Sequence, residues 1–210
     1  FNKSCRIFLY EKSPFLKKIQ KKKLKNHKVI WLKNLNKFNN HPVIFIANEF
    51  FDALPIKQFI KKNKIWHERY VNMSNKKMPQ FIDKIFNINN LKSKLRINID
   101  YKQNFIEYSP LSIIYLKKIS RLINNNSGGI LILDYGNFQD KMFNTLKTIK
   151  KHKFENIFEN FGNSDITYDL NFNLIKKILT NLKLKVSGST TQRNFLINLG
   201  ILKRAEIVSK

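Results

Sequence analysis

Apolar residues along the chain fall into two rhythms. Short continuous runs at 5–10, 29–32, 43–47 and 130–133 lack polar alternation and read as buried strands, with Cys5 early in the first and inert. Between them, apolar residues recur at helical spacing. Ser13-Pro14 supplies an N-cap and a first-turn proline, and Phe15, Leu16, Ile19 and Leu24 carry a helix to about Lys25. Ser109-Pro110 repeats that start, and Ile113, Ile114, Leu116, Ile119, Leu122 and Ile123 mark a second helix, broken at 124–129 with Gly128-Gly129 as a turn. Phe172, Ile175, Ile178, Leu179 and Leu182 make a third, and Phe195, Leu196 and Leu199 a short fourth stopped by Gly200. Residues 57–60 and 65–71 flank 61–64 as a hairpin, and 105–108 is short and extended. Residues 73–100 are weakly patterned, with a marginal helix near 80–86, and 137–168 is polar with little periodicity. Uninterrupted apolar strands between helices predict an α/β fold, a mainly parallel sheet covered on both faces, with an antiparallel part added by the hairpin.

Composition narrows the function classes. At 210 residues and 42% hydrophobic the chain fits one domain with a real core. A single cysteine excludes a disulfide framework, and His27, His41, His67 and His152 show no ligand spacing. No apolar run approaches the ~18 residues of a membrane span, so no membrane insertion is expected. The net charge of +26 first suggests a nucleic-acid partner. However, Lys outnumbers Arg 34 to 6, Asn occurs 28 times and Ala only 3 times. Residues with AT-rich codons dominate, so the charge reads as compositional drift. A phosphate-reading surface would favour the arginine fork, and no specific nucleic acid is expected.

In an open α/β sheet, ligands sit beyond the carboxyl ends of the strands. Glu11, Asn48-Glu49 and Asp134 end three of these strands and should converge on one rim. An acid at Glu11 suits a ribose diol, or is simply an exposed acid favoured by the helix dipole. Glu49 and Asp52 form an acid/base pair, or Asp52 caps the turn before Pro55 while Phe50 and Phe51 fill the core. Asp134-Tyr135-Gly136 reads as a strand-end turn or a pocket wall, and Trp66 and Tyr70 as packing or as a substrate platform. There is no G-x-G-x-x-G and no G-x-x-x-x-G-K.

The block 46–59, with Asn48-Glu49-Phe50-Phe51-Asp52-Ala53-Leu54-Pro55 at its centre, resembles the N-E-F-F-D-A-L-P signature of the MidA-like methyltransferases. That family includes the mitochondrial complex I assembly methyltransferases and their bacterial relatives. Glu11, Ser13, Pro14, Leu16 and Gln20 resemble its E-x-S-P-x-L-x-x-x-Q segment, and Asp134-Tyr135-Gly136 its D-Y-G strand end. Residues 164–172, including Asp165, and the tail carrying Thr191, Gln192, Phe195, Gly200 and Arg204 agree in order. The resemblance implies a class I, Rossmann-like methyltransferase sheet with helices on both faces and an inserted antiparallel hairpin and helical segment at about 56–104. It implies S-adenosyl-L-methionine as cofactor. The implied activity is protein-arginine methylation on a core subunit of respiratory NADH:ubiquinone oxidoreductase. By the same carry-over Glu11 and Asn48 hold the cofactor, and Glu49 and Asp52 are catalytic. Phe50, Phe51, Tyr135, Asp165, Gln192 and Arg204 line or close the pocket. Asn171 departs from the family's usual Asp. The family's glycine-rich loop has no counterpart here, so residues 1–210 read as one domain lacking its first strand and loop, with Phe1 just before the second strand. Competing readings are a non-catalytic assembly scaffold and an RNA methyltransferase. The expected compartment is a bacterial cytoplasm, with the mitochondrion as the alternative.

Overall fold

The computed structural model describes residues 4–35, 41–73, 78–95, 102–151, 153–160 and 162–209; Phe1 and His152 lie outside them. The chain opens with β1 (Ile7–Tyr10), α1 (Pro14–Lys23) and β2 (Val29–Leu32), with β1 and β2 parallel from Ile7↔Val29 to Tyr10↔Leu32. Ser13 caps α1 by accepting from the Leu16 amide, and Pro14 opens it, as the sequence predicts.

A second parallel pair comes from distant segments. β3 (Val43–Asn48) runs beside β8 (Gly128–Leu133) from Val43↔Gly128 to Asn48↔Leu133. Between them lie β4 (Lys57–Lys62), β5 (Ile65–Met73), β6 (Pro79–Ile85), α2 (Ile88–Leu95), β7 (Phe105–Tyr108) and α3 (Pro110–Asn126). The four strands make an antiparallel sheet in the order β6-β5-β4-β7. The hairpin turn falls at Asn63 and Lys64, both at positive φ (46° and 66°), the geometry a tight two-residue turn requires. α3 packs on both β3 and β8, and its Tyr115, Leu116, Ile119, Leu122 and Ile123 join Phe51, Phe59, Ile106 and Tyr108 in the core.

After β8 come β9 (Gly136–Asn137), β10 (Lys147–Lys150), β11 (Lys153–Glu155), β12 (Asp165–Thr167), β13 (Leu170–Asn171) and α4 (Phe172–Asn181). β11-β10-β12 form a small antiparallel sheet, β13 pairs parallel with β9, and α4 packs on α3. α5 (Gln192–Asn198) and α6 (Ile201–Val208) end the described chain. Asn171 caps α4, its Oδ1 accepting the Leu174 amide at 2.8 Å. Asn and Asp are equivalent in that job, which explains why the family's acid is dispensable here.

Several expectations need correction. Residues 80–85 are strand, not helix, and Phe86 lies just past the strand. Pro79 withholds an amide, Arg69 and Asp83 pair across β5 and β6, and the helix forms later as α2 around buried Leu91 and Leu95. Residues 137–168 contain strands whose partners are also polar, so no apolar period announces them. Gly128-Gly129 is no turn. α3 runs to Asn126, Ser127 turns at φ 64°, and Gly128 already pairs with Val43. The apolar strands are not uniformly buried, since Ile44 and Ile46 are 76% and 69% exposed, and Cys5 is exposed ahead of β1. Trp66 is core, whereas Tyr70 is 41% exposed. Gly200 ends α5 as expected at φ 83°, and α6 follows it without a predicted signal.

Candidate active site at the strand rim

The ends of β1, β3 and β8 meet through side chains. The Glu49 amide donates to the Leu133 carbonyl at 2.9 Å, carrying the β3–β8 ladder one residue past the strand. Glu49 itself sits at φ 44°, a left-handed conformation that a non-glycine residue holds only when its surroundings enforce it. The chain then turns sharply, with the Leu54 amide donating to the Phe51 carbonyl. Phe51 is fully buried and meets Phe50 edge-on at 5.1 Å. Phe50 meets the ring of Tyr115 on α3, also at 5.1 Å. The Tyr115 hydroxyl lies 3.1 Å from that of Tyr10, the last residue of β1. Burial and this hydrogen bond push the Tyr10 phenol up to about 12.

Two carboxylates organise the turn. Asp134 follows β8, and its Oδ2 accepts from the amides of Phe51 (3.0 Å) and Asp52 (3.4 Å), while Oδ1 accepts from the Tyr135 amide (2.9 Å). Burial, and next the nearby charge of Asp52, push the Asp134 carboxyl up to about 6. Asp52 is itself buried. Its Oδ2 accepts from the Thr167 hydroxyl at 2.9 Å, and its Oδ1 is buried with no hydrogen-bond partner. The reading of Asp52 as a mere turn cap before Pro55 is therefore replaced by an anchorage to β12.

Glu11 is equally fixed. Its two oxygens accept from the Ser13 amide (2.8 Å) and from Gln20 Nε2 (3.0 Å), and Gln20 Oε1 accepts from Trp31 Nε1 (3.1 Å). Each carboxylate oxygen retains a lone pair, so Glu11 is a rigid acceptor that suits the hydroxyls of a ribose.

Of the sequence-nominated residues, the rim gathers Glu11, Asn48, Glu49, Phe50, Phe51 and Asp52, with Tyr135 beside Asp134 and 58% exposed. Asp165 begins β12 in an exposed position, and Gln192 and Arg204 lie on the exposed faces of α5 and α6. No hydrogen bond or ion pair joins these three to Glu11, Asp52 or Asp134 among the described residues. Sequence reasoning missed Thr167 and Tyr115 as parts of the site and undervalued Asp134 and Gln20. Asp134 and Gln20 carried signals, an acid at a strand end and a polar residue inside the family-like segment. Thr167 stood in the family-like segment 164–172, but nothing in the sequence pointed to its partner Asp52, 115 positions away.

Parallel strand pairs whose carboxyl ends hold fixed acids, with a helix packed across one of them, are the arrangement of a Rossmann-type α/β fold. Residues 1–190 match the family described as "Putative S-adenosyl-L-methionine-dependent methyltransferase", and the chain belongs to that family. It is 28% identical over 181 residues to the mitochondrial protein arginine methyltransferase NDUFAF7 of Xenopus laevis, covering 86% of this chain and 41% of the relative. The Caenorhabditis elegans homolog is 31% identical over 196 residues, covering 91% and 45%. The chain thus spans less than half the length of these curated relatives. The fold is shared with a Burkholderia thailandensis protein solved bound to S-adenosyl-homocysteine, at a TM-score of 0.76 and 20% identity, over 94% of this chain and 54% of that one.

Proposed function

We propose that the full-length protein is an S-adenosylmethionine-dependent protein arginine methyltransferase acting on a core subunit of respiratory NADH:ubiquinone oxidoreductase. The observation that carries this reading is the buried Asp52, backbone-anchored at the strand rim of a chain with net charge +26. Negative charge concentrated there is what a cationic acceptor beside a cationic methyl donor requires.

The cofactor supplies a methyl group already activated on a sulfonium, so the chain's work is positioning and charge. Glu11 orients the ribose end, and Asn48, exposed at the end of β3, faces the same rim. The acceptor guanidinium is cationic at neutral pH and must lose a proton as its nitrogen gains a carbon. Glu49 and Asp52 orient it, and one of them takes that proton. Phe50 is assigned to the apolar floor, with the fully buried Phe51 packed beneath it. Tyr135, Asp165, Gln192 and Arg204 are assigned to pocket closure in the full-length protein.

Among the described residues β1 pairs only with β2, and β3 only with β8. The mitochondrial names of the relatives favour a mitochondrial site of action.

The test is methyl transfer by the full-length protein to the isolated subunit, with S-adenosylhomocysteine affinity measured in parallel. Wild type should methylate an arginine, and Asp52→Asn or Glu49→Gln should lower turnover about 10- to 1000-fold while sparing cofactor affinity. Absence of arginine methylation by the wild-type protein would overturn the assignment, and wild-type turnover in both variants would remove the acids from the mechanism.

A further inference from the structure

The carboxylates nominated from the sequence are not equivalent in the structure. Glu49 is exposed on a left-handed backbone, whereas Asp52 is buried, fastened through Oδ2 and left with Oδ1 unpartnered. A buried acceptor without a donor is unfavourable, more so when charged. A ligand that supplies the missing hydrogen bond is one physical account of such an atom, and the anchoring of Asp52 favours it here.

What aims Asp52 is a set of contacts from outside its own segment. The Asp134 carboxylate accepts the amides of both Phe51 and Asp52, which fixes the peptide plane entering Asp52. The same carboxylate accepts the Tyr135 amide, which locks its own rotamer to the end of β8. Thr167, at the end of β12, donates to Asp52 Oδ2 and sets the side-chain rotation. Backbone plane and side-chain rotation together leave Oδ1 a fixed direction.

We infer that Asp134 is a positioning residue which, together with Thr167, presents the free Oδ1 of Asp52 to an N–H of the cationic acceptor group. Asp134 acts through Asp52 and does not touch the acceptor. The inference rests on the methyltransferase reading and adds to it the means by which the loop after β3 is held. It also ranks the two acids: Asp52 is the acceptor-binding one, and Glu49 is secondary.

The experiment uses full-length protein carrying Asp134→Ala, Asp134→Asn, Thr167→Val, Asp52→Asn and the double variants of the first and third with Asp52→Asn. Folded fraction, S-adenosylhomocysteine affinity by calorimetry, and kcat and KM for an arginine-bearing segment of the acceptor subunit are measured on each. Asp134→Ala should lower kcat per folded molecule about 10- to 100-fold with cofactor affinity unchanged. Asp134→Asn keeps an oxygen for the Phe51 and Asp52 amides and should restore turnover to within about fivefold of wild type. Adding either Asp134→Ala or Thr167→Val to Asp52→Asn should produce no further loss, because residues acting through one another are non-additive. Should Asp134→Ala fail to fold, Thr167→Val, nearly isosteric, carries the same cycle. Additive losses, or wild-type turnover per folded molecule in Asp134→Ala or Thr167→Val, would overturn the inference while leaving the activity standing. A wild-type protein that methylates no arginine would overturn both.

Discussion

A carboxyl group that accepts three backbone amides while facing a second carboxylate is pulled in opposite directions. At Asp134 burial and the Asp52 charge outweigh the amides, raising it from the ordinary 3.8 to about 6. The folded protein therefore holds a proton there that the unfolded chain has released. This group's contribution favours the fold fully below about pH 4 and is lost as pH rises through about 6. Urea midpoints across that window should fall with pH, and Asp134→Asn should flatten that part of the profile. Carboxyl-carbon NMR should show Asp134 titrating near 6 in wild type. In Asp52→Asn it should titrate lower, yet still above its ordinary value, because burial is the larger cause. At this scale the sequence was readable where a residue declares its chemistry locally. Glu11 and Asp52 stand in segments whose order is itself informative. Thr167 also stands in a family-like segment but gave no sign of its partner, because a threonine's hydroxyl becomes part of a site only when the fold carries a remote carboxylate to it.

The helices were legible because their cause is local. Ser13 and Ser109 each cap the element that the following proline opens, and the 3.6-residue spacing needs no distant partner. β6 was misread because its stability comes from β5, through pairs such as Arg69 with Asp83, and nothing within 79–85 says so. The α3-to-β8 junction shows the same dependence in one residue. Gly128 holds φ 121°, and a Cβ there would lie 1.9 Å from the Val43 carbonyl oxygen, while at Gly129 a Cβ would meet nothing within 4 Å. Gly128→Ala should therefore destabilise the protein by about 3 kcal/mol or more and lower its Tm by about 6–12 °C. Gly129→Ala should stay close to wild type in the same thermal melts. Equal melts for the two variants would show that β3 and β8 do not pack as closely as the structure has them.

Over the whole molecule, part of the positive charge is taken up by ion pairs within the fold. Lys side chains supply 34 of the 40 basic residues, and several are committed within the fold, Lys57 to Glu68, Lys62 to Asp83 and Lys147 to Asp169. Filter binding at physiological salt should show only weak RNA affinity without sequence preference, falling steeply with added salt. Sub-micromolar affinity for one RNA sequence would point to the RNA-methyltransferase reading instead. The acids form a local exception to this charge, and Tyr115 sits where they are organised. Its hydroxyl meets Tyr10 at the end of β1, and its ring meets Phe50 beyond β3. One side chain of α3 thus works as a spacer gauge, its length setting how far the end of β1 stands from the acid-bearing turn after β3. The interval between those two strand ends is a dimension machined into a helix and only borrowed by the sheet.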